Sequence, residues 1–113
     1  MSTREDIATR ATIAGVTKVT PFYRQSLKPG DGFVEFAGKV RGDNGFGWID
    51  TWNVWIAVPQ DVEAAERWLE EHMQDVIDEV DIRELIVTTA GPSNRLLGGQ
   101  VVNGLVITGT REG

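Results

Sequence analysis

The stretch from Trp48 to Val58 constrains this chain more than any other. Trp52, Val54, Ile56 and Val58 alternate with Ile49, Thr51, Asn53, Trp55 and Ala57, a period of two that belongs to a β-strand. Both sets carry bulk, so the strand is expected to be central and covered on both sides. Pro59 ends it. The period then changes. Val62, Ala65, Leu69, Met73, Val76 and Val80 recur at 3.6-residue spacing, flanked by Trp68 and Ile77, which predicts a helix over 61–80. Asp61 is a good N-cap, and Glu63 suits the first turn. Burying Leu69, Met73, Val76 and Ile77 would contribute roughly 1.5–3 kcal/mol each, the bulk of the core.

The other elements read less sharply. Residues 3–14 suit a short helix: Ser2 or Thr3 can cap it, Ile7, Ala11 and Ala14 share a face, and Gly15 stops it. Residues 16–23 hold Pro21, so they form an edge strand or one that ends early. The turn at Lys28–Gly32 leads into an alternating run, with Val34, Phe36 and Val40 on one face and Glu35 and Lys39 on the other. Residues 41–47 form a glycine-rich hairpin connection. Leu85–Ala90 is a strand that Gly91-Pro92-Ser93-Asn94 breaks, and Val101–Thr110 is a final strand with Val101, Leu105 and Ile107 on one side. The order is helix, three strands, long helix, two strands. It predicts one α+β domain over residues 1–113, a mostly antiparallel sheet of about five strands with both helices on one face.

Charge narrows the function classes. Residues 61–84 hold ten acidic side chains against Arg67 and Arg83, a net of −8 within a chain of −6, which leaves +2 for the rest. An acidic chain is a poor general binder of nucleic acid or acidic membranes. The acidic segment is either a solvated helix face or a surface kept negative to repel DNA or meet a basic partner. Cysteine is absent and His72 is the single histidine, which argues against thiol catalysis, zinc chemistry and His-pair catalysts. Neither a metal nor a cofactor is expected, and the chain reads as no enzyme.

The short motifs are weak. Arg41-Gly42-Asp43 matches the integrin tripeptide, but nothing else points to an extracellular setting. The glycines of 42–47 lack the Lys-Ser/Thr end of a phosphate loop and open no helix. Carboxylates at i, i+4, such as Glu66 with Glu70 and Glu71 with Asp75, are solvated acids unless other ligands join them. His72 beside the apolar stripe reads as structural, and Thr88 and Thr89 as ordinary strand residues.

Contact surfaces are the better candidates. Phe46 and Trp48 sit at a hairpin end next to Arg41, where they either fold back on the core or meet a partner. If both helices cover the Trp52 face, Trp55 and Ile49 are left on an open sheet surface and predict a subunit interface. The acidic surface candidates are Glu66, Glu70, Glu71 and Asp75.

The runs Tyr23-Arg24-Gln25-Ser26-Leu27-Lys28-Pro29-Gly30-Asp31-Gly32-Phe33-Val34 and Trp52-Asn53-Val54-Trp55-Ile56-Ala57-Val58-Pro59, followed by a long helix with Ala64, Ala65 and Trp68, resemble small tail proteins of actinobacterial siphophages, and among these the tail terminators. The resemblance spans almost the whole chain, in pattern and short segments. It implies an α+β subunit of a ring, usually a hexamer, on the head-proximal end of the tail tube. Such a ring stops tube polymerisation, offers a surface to head-completion proteins and lets DNA pass through its lumen. The expected partners are further copies of the chain, the major tail tube protein and a connector protein. The acidic candidates would then face the lumen or its rim, where negative charge keeps DNA from sticking.

Two other readings stand beside it. One is a head–tail connector, stopper or minor tail component. The other, of a different class, is a small ligand-binding or enzymatic α+β domain, which needs a pocket with convergent polar groups. The start shows no secretory pattern, and no run approaches the roughly 18 apolar residues of a membrane span. The expected setting is therefore a bacterial cytoplasm during assembly and a virion afterwards, with no membrane partner.

Overall fold

A computed structural model describes residues 3–23, 27–42, 45, 47–81 and 85–112. Among these the order is α1 (Thr3–Ala11), β1 (Lys18–Thr20), β2 (Asp31–Arg41), β3 (Trp48–Ala57), α2 (Val62–Val80), β4 (Ile86–Leu97) and β5 (Gln100–Glu112). The strands form one five-stranded sheet in the order β1-β2-β3-β5-β4. All pairings are antiparallel except β1 with β2, which run parallel. The fold is α+β, as the period changes imply. No described helix is long and apolar enough to cross a membrane.

β3 is central, between β2 and β5. Its Trp52, Val54 and Ile56, with Val58 just beyond it, enter a core with Val34, Leu105 and Ile107. Onto that core pack Ile7, Ala8 and Ala11 of α1 and Ala65, Val76 and Val80 of α2. Both helices therefore cover the same sheet face. The Asp61 carboxylate caps α2, accepting from the Ala64 N–H at 3.1 Å. Val62 departs from the expected stripe: at the helix start it is 70% exposed.

α1 stops at Ala11, short of the expected residue 14. The buried Thr17 hydroxyl donates to the Ala11 carbonyl at 2.6 Å and accepts from the Ile13 N–H at 2.7 Å. Those bonds replace the helical partner of Ala11, and Ile13 packs on the core where Ala14 was expected to. Thr12 has a second role. Its hydroxyl accepts from the Val19 N–H at 3.0 Å, lies 3.3 Å from the Val19 carbonyl and donates to Ala8 at 2.9 Å. The outer edge of β1 is thus capped by a side chain from the turn that follows α1.

Two further expectations are corrected. The register of β2 shifts between Phe36 and Gly38, a bulge that exchanges faces beyond it. Lys39 therefore lies on the helix side opposite Asp50, with its Nζ 2.6 Å from the carboxylate, and Val40 stands on the other face opposite Ile49. Gly91-Pro92-Ser93-Asn94 does not break β4, which runs on to Leu97. β4 is the outer strand, and counting back from the Leu97–Gln100 pair, the Pro92 nitrogen points away from β5. A proline at such an edge position removes no ladder hydrogen bond. Gly98 and Gly99, with φ of 56° and 84°, close the β4–β5 hairpin in two residues, which only φ-positive residues do easily.

Candidate assembly surfaces

The helix-free face of the sheet is divided. One half is covered by the β4–β5 hairpin, which overshoots the last β3–β5 pair, Ala57 with Gly104, and curls back. Leu97 is 3% exposed and joins Phe33, Trp55 and Ala57 in a second small core. Gly104 makes the curl possible: a Cβ there would enter the Trp55 ring. The expectation of exposed bulk at Trp55 is therefore corrected, since Trp55 is 2% exposed and stacks on Phe33 at 5.9 Å. The sequence held no local sign of this, because the cover comes from some forty residues further along the chain.

An ion pair fastens the hairpin. The Arg95 guanidinium meets both oxygens of Glu35, at 2.6 and 3.2 Å, and lies over the Phe33 ring at 4.9 Å. Its paired hydrogen bonds hold the Glu35 carboxyl below the ordinary carboxylate range, against the opposing effect of burial, with further help from the Asn53 side chain. Arg95 is correspondingly pushed up by Glu35.

The other half of the helix-free face is open. Val40 and Ile86 stand exposed there, with Ile49 half-buried and Thr51, Thr108 and Thr110 between them. Ile49 thus lies on an uncovered sheet surface, while Trp55 does not. At the end of the β2–β3 hairpin Trp48 is 46% exposed, with the Arg41 guanidinium 4.2 Å from its ring centre. Phe46, the remaining candidate there, lies outside the described residues, as does Asp43. Sequence reasoning missed a third apolar surface. Leu96 and Val101, paired across the β4–β5 hairpin tip, are 66% and 68% exposed. Their alternation with buried Leu97 was the available signal, obscured once Gly91–Asn94 was read as a break.

All nine described acids from Asp61 to Asp81 are exposed. On the helical repeat Glu71 points away from the sheet, Asp75 lies toward one flank and Glu66 and Glu70 toward the other. That flank borders β4, because Asp81, on the same stripe as Glu63 and Glu70, accepts from the Val87 N–H at 3.1 Å. Glu63 pairs with Arg67 at 2.8 Å, and His72 lies 3.6 Å from Glu71 and edge-on to Trp68. No group of His, Asp or Glu among the described residues is arranged to hold a metal ion. A shallow groove of about 330 Å³ lies at the opposite edge, between α1 and β1, lined by Glu5, Ala8, Thr9, Thr12, Val19 and Pro21. These surfaces offer apolar contact and charge. No protein-family model matches the chain, and no curated protein matches it.

Proposed function

We propose that this chain is a structural subunit of a siphophage tail, a terminator that caps the head-proximal end of the tail tube as a ring of identical copies. The observation that carries the reading is the amount of apolar surface left uncovered on so small a domain. Among the described residues nine large apolar side chains are 40% or more exposed, including Val40, Trp48 and Ile86 along one end of the sheet and Leu96 and Val101 at a hairpin tip. The neighbouring pairs on these surfaces, Leu96 with Val101 and Val40 with Ile49, support a protein that works in contact with others. The resemblance of the Tyr23–Val34 and Trp52–Pro59 runs to tail terminators supplies the kind of assembly. Glu66, Glu70, Glu71 and Asp75 then face the lumen or its rim, and their charge keeps passing DNA from adhering. The ring ends tube growth and presents its far surface to a head-completion protein.

Electron microscopy of tails assembled without this protein tests the reading. Overlong tubes are expected, and tails of normal length would refute it. A connector or stopper would instead leave tails of normal length that fail to join heads.

A further inference from the structure

Two features on opposite edges of the sheet fit one another. At the β4 edge the hairpin tip presents Leu96 and Val101 side by side on a base held by Arg95 and Glu35. At the β1 edge the groove between α1 and β1 has room for two aliphatic side chains, and its floor is the buried pair Ala8 and Val19. Charge divides in part the same way, with Glu5 the acidic exception in the groove lining. The flank of α2 beside β4 carries Glu63, Glu70 and Asp81, all exposed, and Arg10, Lys18 and Lys28 stand exposed around the β1 edge. Strand addition is hindered at β1 because the Thr12 hydroxyl takes the outward Val19 N–H and stands 3.3 Å from the Val19 carbonyl, so a partner docks there more readily through side chains.

We infer that the occupant of the α1–β1 groove is the β4–β5 hairpin tip of a second copy of this chain, with Leu96 and Val101 seated in it and the acidic flank of that copy set against Arg10 and Lys18. The contact joins unlike surfaces, so it repeats head to tail and closes as a ring when its rotation permits. It deepens the ring reading above and rests on it, adding which two edges meet.

Cysteine is absent from the chain, so a Thr9→Cys, Val101→Cys double variant carries its only thiols at the groove and at the tip. Both positions are exposed. On oxidation the double variant should give a reducible ladder of dimer, trimer and higher species, while neither single variant goes beyond dimer. Leu96→Asp should weaken association of the otherwise native chain by about tenfold or more, read by sedimentation. If the native chain assembles but the double variant gives no ladder, the docking is overturned and the ring reading stands. If the native chain stays monomeric and no ladder forms, both fall. Efficient dimers from Val101→Cys alone would mean that tip meets tip, which also overturns the proposal.

Discussion

Arg95 and Glu35 form a two-pronged ion pair, 2.6 Å at its shorter contact, although β3 and β5 lie between their strands in the sheet. Only a hairpin folded back over the sheet brings them together. The pair therefore reports whether the Phe33–Trp55 core is covered.

That geometry gives the fold a pH dependence of known sign. Glu35 titrates lower in the folded chain than in the unfolded one. Its stabilisation is present above the ordinary carboxylate range and is lost as pH falls through the lower folded value. Glu35→Gln should cost about 1 kcal/mol near neutral pH, a modest figure because both partners remain partly exposed to screening solvent. Urea denaturation of the two proteins should show the difference shrinking as pH drops below the usual carboxylate range.

Gly104→Ala tests the close approach beneath the hairpin. The added methyl meets a buried indole and the Ile56 carbonyl at 2.9 Å. Overpacking of this kind costs about 1–3 kcal/mol, and the fixed ring puts this case at the upper end. Gly91→Ala, where a Cβ meets nothing within 4 Å, is the control and should leave the denaturation midpoint nearly unchanged.

Trp55 and Trp48 should separate folding from assembly. Trp55→Ala empties a buried site and should cost about 3–5 kcal/mol by denaturant titration. Trp48→Ala removes an exposed ring and its contact with Arg41, a loss under about 1 kcal/mol. If the β2–β3 hairpin end is a contact surface, sedimentation should show Trp48→Ala folded yet impaired in assembly.

Thr12→Val keeps the shape of the side chain and removes the cap on β1. The Val19 N–H then loses its partner at a part-buried site, at about 1–3 kcal/mol. Light scattering at high concentration should also rise, since an uncapped strand edge recruits other chains.

Much of the fold was legible because its strongest elements are periodic. β3 and α2 announce themselves by alternation, by the Asp61 cap and by the 3.6-residue stripe, and the helix-on-sheet arrangement follows. The failures were of position. Pro92 looked like a breaker because sequence does not show that β4 is an outer strand. Lys39 and Val40 exchanged faces because one bulge residue inverts every side chain beyond it. Trp55 looked open because its cover, Leu97 and Arg95, arrives from a distant hairpin. At the candidate surfaces, the exposure of the α2 acids was legible, that of Trp48 stood open between core and surface, and Leu96 and Val101 depended on the course of β4.

The fold-back of the β4–β5 hairpin also orders events in time. The hairpin itself is local and closes through two glycines, a step of microseconds in general. Its clasp joins residues 60 apart in sequence, and such distant closures wait until the intervening chain is arranged. The helix-side core can therefore form while Phe33 and Trp55 are still wet, and drying of the second core should be among the last steps as the chain folds. A chain arrested at that point would leave Phe33, Trp55, Ala57 and Leu97 open to water, so closing the clasp is the step that withdraws this apolar surface from contact with other chains.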